Sequence, residues 1–85
     1  HTPGHQSVLV NLPKTGHMLF TGDACYTGDH WCDKCLPGLV ASASDAADSV
    51  KKLRRIAKEH DAKVVWGHDP ITWKDWKKAP MFYYD

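Results

Sequence analysis

Two apolar runs in this chain stop in the same way. "MLFTGD" ends at Asp23, and "VVWGHD" ends at His68-Asp69, each with a glycine ahead of the polar residue. A side chain placed where a strand meets its loop is held by the sheet yet open to solvent. That is a frequent station for ligands and catalytic groups. The opening turn, "HTPGH", adds His1 and His5 just before another apolar run. His1, His5, Asp23, His68 and Asp69 thus form a candidate cluster of three imidazoles and two carboxylates. Such a mixture suits zinc, iron, cobalt or manganese. Each residue alone has an ordinary reading: Gly-Asp is a turn, and Asp69 ahead of Pro70 is a cap. Their recurrence at three strand borders favours a site.

A second group of residues invites a different chemistry. "HWCDKC" contains Cys32-x-x-Cys35, a zinc or redox spacing. With Cys25 and His30 it offers an alternative, a non-catalytic zinc-binding module. A full zinc motif needs a second ligand pair, and only Cys25 is spare. A redox Cys-x-x-Cys opens a helix in a βαβ setting, which this loop lacks. Loop cysteines lining an entrance or the core are the favoured reading.

The elements that must hold these residues are mostly legible. Residues 7–12 ("SVLVNL") read as a strand, with Val8, Leu9 and Val10 expected to be buried on both faces. The "PKTG" turn sends the chain back into an antiparallel second strand, "HMLFT". Residues 24–39 lack a clean period and read as a functional loop. Ser42 and Asp45 fit a capping box at the start of a helix. Ala46, Val50, Leu53, Ile56 and Ala57 form its inward stripe, and the helix is expected to end near Glu59 or His60. Lys51, Lys52, Arg54 and Arg55 read as a solvated face. "KVVW" is a short buried strand closed by Pro70, and one or two helical turns are expected around residues 73–77. This order gives an α/β (α+β) fold: an antiparallel hairpin, a helix, a strand and a short C-terminal helix.

Composition narrows the function classes. Eleven basic against ten acidic residues leave a net charge of +1, which argues against nucleic-acid arms and polybasic membrane anchors. The apolar runs are far too short to span a bilayer. Three cysteines cannot all pair internally, so a reducing cytoplasm is expected. The chain opens inside a turn motif, and the expectation is a fragment of a longer protein.

"HTPGHQSVLV", "TGDACYT" and "WGHDP", in this order, resemble the C-terminal half of a metallo-β-lactamase-fold hydrolase. The likeness is greatest to the N-acyl-homoserine lactonases, and it covers essentially all of residues 1–85. The resemblance implies half of a four-layer αββα sandwich. In that family the turn is doubled, and the first histidine of the doubled turn is the ligand. His1 falls on that position, and His5 would support from behind. Asp23 would bridge two divalent metal ions, zinc first among them, and His68 would complete the second. Tyr26 would direct its hydroxyl at the substrate carbonyl, making Asp23 and Tyr26 the catalytic pair. Asp69 would accept the ring N–H of a ligand histidine. The implied reaction opens the lactone ring by a metal-bridging hydroxide, the activity called quorum quenching. A glyoxalase-II-like thioesterase or a phosphodiesterase is the alternative within the fold.

The family's H-x-H-x-D-H motif is absent from this sequence. His1, Asp23 and His68 are too few to hold two metal ions, so the missing N-terminal half is an expected partner and the 85 residues alone are expected to be inactive. Without that half, apolar surface should lie open around Val8, Val10 and Leu19, favouring aggregation or a homodimer.

Overall fold

A tight turn after Leu12 folds the first two strands against each other. In the computed structural model, which describes residues 1–35 and 38–85, β1 (Val8–Leu12) pairs antiparallel with β2 (Gly16–Gly22). Val8 stands opposite Phe20 and Leu12 opposite Gly16. The third strand, β3 (Lys63–Trp66), joins the other edge of β2 in parallel, giving the order β1-β2-β3. Parallel neighbours need a long crossover. Here it passes through α1 (Gly28–Trp31) and α2 (Ala43–Glu59). A consequence is that β2 and β3 end at the same border of the sheet, so both Gly-polar endings arrive together.

The long helix α2 forms as its sequence directs. Ser42 caps it, its hydroxyl accepting the Asp45 N–H at 3.3 Å. Among the described residues the return bond from the Asp45 carboxylate is not made, so the capping box is half formed. Ala46, Val50, Leu53 and Ala57 are buried. Leu53 and Ala57 pack with Leu19 and Ala24, with Trp31, Ala62 and Val64 closing around them. Each fully buried aliphatic side chain of this kind contributes about 1.5–3 kcal/mol.

The opposite face of the sheet is less covered. Val10, Met18, Phe20 and Val65 border a groove of about 660 Å³, with Trp73, Trp76 and Tyr84 on its far side. The C-terminal tail returns to the hairpin, where the Asp85 carbonyl accepts the N–H groups of Lys14 and Thr15.

Several expectations change. Val8 is 52% exposed and Leu9 36%, as Phe20 on the central strand is at 40%, because little covers these positions on the sheet's faces. Leu19, expected to lie open, is 2% exposed because its side of the sheet is the one α2 covers. Val64, Val65 and Trp66 are half-buried rather than buried. The expected loop contains the one-turn helix α1. Pro70 does not close a segment but opens α3 (Pro70–Trp73), earlier than the expected turn. A proline is favoured at the first position of a helix, where no N–H is needed. Among the described residues no helix is long and apolar enough to cross a membrane.

Candidate active site

The site begins where β2 stops. Gly22 has φ +56°, a left-handed conformation that glycine adopts without strain. The chain then turns sharply and presents Asp23. The Asp23 N–H donates to His5 Nε2 at 2.9 Å. His5 itself belongs to a closed turn, its own N–H donating to the Thr2 carbonyl at 3.1 Å. The same turn carries His1, whose carbonyl accepts the Ala41 N–H ahead of α2.

The Asp23 carboxylate lies between two imidazoles. His68 Nε2 is 2.7 Å from Oδ1 and donates to it. His1 Nε2 is 3.6 Å from Oδ2. Of the three side chains His1 is the least exposed and His68 the most. Tyr26 completes the arrangement. Its ring centroid is 4.7 Å from that of His68 and 6.4 Å from that of His1.

Backbone contacts set these distances. Gly67 N–H donates to the Cys25 carbonyl, and His68 N–H donates to the Tyr26 carbonyl at 2.9 Å. Gly67 lies so near Gly22 that a Cβ on it would overlap the Gly22 carbonyl. Thr21, fully buried at the end of β2, donates its hydroxyl to the Cys25 carbonyl at 2.8 Å. Sequence inspection passed over Thr21, because a threonine in a strand reads simply as a good strand former.

Asp69 departs from its expected role. Its carboxylate takes no histidine N–H among the described residues. Oδ2 accepts the Gly28 N–H at 3.0 Å, and Oδ1 accepts those of Ile71 and Thr72. These bonds, Gly28 foremost, hold its carboxyl below the usual carboxylate range. Asp69 is therefore the cap of α3 and a tie to α1.

The three cysteines stand as free thiols in two different settings. Among the described residues, no three His, Cys, Asp or Glu side chains are arranged to hold a metal ion. Cys25 is buried, and burial pushes its thiol up to about 12, while Cys32 and Cys35 are exposed.

The same test bears on the first cluster. His1, Asp23 and His68 converge, but as two pairs sharing one carboxylate rather than as a closed cage. In chemistry imidazoles and a carboxylate are donors that suit divalent cations. A structural or catalytic zinc takes three or four protein ligands. The three donors present are fewer than a closed zinc site needs on its own.

A family model for the metallo-beta-lactamase superfamily matches residues 1–68. The chain belongs to that superfamily. Membership in that superfamily implies metal ions. An N-acyl homoserine lactonase, AttM, from Rhizobium radiobacter is 58% identical over 83 residues, which are 98% of this chain and 32% of that protein. An N-acyl homoserine lactonase from Bacillus cereus is 34% identical over 82 residues, covering 96% of this chain and 32% of the relative. In three dimensions the whole chain superposes on an N-acyl homoserine lactone hydrolase holding its product, N-hexanoyl-L-homoserine, at the catalytic metal centre. The TM-score is 0.87 at 30% identity, and the match covers 33% of that chain. The mixed α/β fold is thus that of a part of a metallo-beta-lactamase-fold lactonase. The chain spans about a third of the length of the curated relatives it matches.

Proposed function

We propose that this chain is the C-terminal part of a metal-dependent hydrolase that opens the ring of N-acyl homoserine lactones, a quorum-quenching activity. One observation carries the reading: the Asp23 carboxylate lies between His1 and His68, with the Tyr26 ring beside both imidazoles. The lactonase relatives, aligned along nearly the whole chain, support the choice of substrate.

In this reading His1, Asp23 and His68 hold two divalent ions, zinc first by the chemistry of the donors, and further ligands come from the rest of the parent protein. Bound there, the ions supply Lewis acidity and lower the pKa of water. His5 accepts the Asp23 N–H and so fixes the peptide from which the carboxylate projects. Tyr26 donates its hydroxyl to the lactone carbonyl oxygen, where negative charge develops. Water adds to that carbonyl carbon, the ring C–O bond breaks, and the leaving oxygen takes a proton to give an acyl homoserine. The three free cysteines fit a cytoplasmic location.

The test uses the parent enzyme loaded with zinc. Hexanoyl homoserine lactone should be opened, and Asp23→Asn should remove both activity and bound metal. Turnover of a glutathione thioester or a phosphodiester, with the lactone left intact, would sink the proposal. The 85-residue chain alone is expected to bind zinc weakly and to hydrolyse nothing.

A further inference from the structure

One buried histidine beside this cluster has no part in the chemistry described so far. His30, only 2% exposed, sits in the single turn α1, its N–H donating to the Thr27 hydroxyl at 3.2 Å. Its Nδ1 accepts the Tyr26 N–H at 3.1 Å. A nitrogen that accepts carries no proton, so the neutral ring bears its proton on Nε2. That Nε2–H is buried and has no acceptor among the described residues. A buried donor without a partner works against folding. Phenylalanine would fill a similar volume but offer no acceptor to the Tyr26 N–H. What the imidazole alone supplies is the acceptor for Tyr26.

The two backbone polar groups of Tyr26 are held from opposite sides. His30 takes its N–H, and the His68 N–H donates to its carbonyl. The phenol ring stands edge-on to both imidazoles, 6.2 Å from His30 at 85° and 4.7 Å from His68 at 69°.

We infer that His30 is a positioning residue for Tyr26: its Nδ1 fixes the Tyr26 backbone and thereby aims the phenol hydroxyl into the cleft between His1 and His68. The clamp is a matter of geometry. Only the task of the hydroxyl rests on the lactonase reading.

His30→Phe keeps a ring and removes the acceptor, whereas His30→Asn keeps an acceptor near the Nδ1 position. In the full-length, metal-loaded enzyme, His30→Phe should lower kcat for hexanoyl homoserine lactone about 10-fold. KM and metal content should stay within about twofold of the parent, since the lost interaction acts on the reaction rather than on binding. His30→Asn should recover most of kcat. In a Tyr26→Phe background, His30→Phe should add no further loss, because both changes act through one group. Two readouts do not depend on activity. Nitrogen-15 shifts of His30 should place its proton on Nε2, and amide exchange at Tyr26 should speed up in His30→Phe but not in His30→Asn. If His30→Phe fails to fold, His30→Leu takes its place in the same comparison. Equal losses in the Asn and Phe variants, a proton on Nδ1, or unchanged Tyr26 exchange would each overturn the inference. An enzyme that ignores the lactone while Tyr26 exchange responds as expected would retire the substrate and keep the clamp.

Discussion

Asp23 and Asp69 stand at the ends of neighbouring parallel strands, each shortly after a glycine, and they do opposite things. Asp23 turns its carboxylate outward to two imidazoles, and its backbone N–H is satisfied by a third, His5. Asp69 has its carboxylate occupied by three backbone N–H groups from two separate elements. One carboxylate remains available to cations. The other has been drawn into the scaffold, and the histidine just before it, His68, faces the cleft in its stead. Whether a carboxylate at a strand end reacts or supports is decided by which backbone donors lie within its reach.

The most severe way to break the comparison is to separate the two strand ends. Gly67→Ala would place a methyl group against the Gly22 backbone, which cannot yield as a flexible side chain can. The expected loss is more than about 4 kcal/mol, in the exceptional range for one substitution. Soluble yield and urea unfolding of the parent enzyme would reveal it. A near-native midpoint would show that the close approach is unimportant.

The next test exchanges the two carboxylates for amides. Asp23→Asn should cut lactone turnover and bound zinc by about 100-fold while leaving the melting temperature of the metal-free protein nearly unchanged. Asp69→Asn should do the reverse, lowering thermal stability more than metal content. The carboxyl of Asp69 is held below its ordinary value of 3.8. Its stabilisation is therefore full above that pH and disappears as pH falls through the lower folded-state value. The Asn variant should lack this acid slope. Matching phenotypes would erase the distinction between the two residues.

A milder contrast concerns His30. Burial lowers its imidazole below the ordinary 6.5, outweighing the opposite pull of Asp33. The unfolded chain takes up a proton near pH 6.5 that the folded chain refuses. The contribution is thus intact above pH 6.5 and is lost as pH falls toward the folded-state value. Urea midpoints at pH 7 and pH 5 should differ less in His30→Asn than in the parent. The smallest effect is reserved for the start of α2, where Ser42→Ala should cost about 1 kcal/mol in thermal unfolding and leave catalysis untouched.

The hairpin, α2 and β3 were legible because each carries a periodic pattern long enough to outweigh local ambiguity. The convergence of His1, Asp23 and His68 was foreshadowed by glycine-polar endings at two strands and by the opening turn. Other features escaped for physical reasons. The helix α1 is a single turn, held by the Thr27 cap and by Asp69, which lies 41 positions along the chain. Exposure of β1 depends on what packs over each face of the sheet, not on its own run of valines and leucine. Asp69 looked like a supporter of metal ligands because its nearest donors come from the backbone, which composition does not display. Pro70 was the available clue, since a proline in that place commonly opens a helix.

The absence of a side chain at Gly67 limits what substitution can do at this border of the sheet. Because backbone meets backbone there, the gap between the two endings has the thickness of a polypeptide and cannot be tuned by exchanging larger for smaller residues. Exchanges along the rim can change the lining of the cleft, but its width is set by the two backbones.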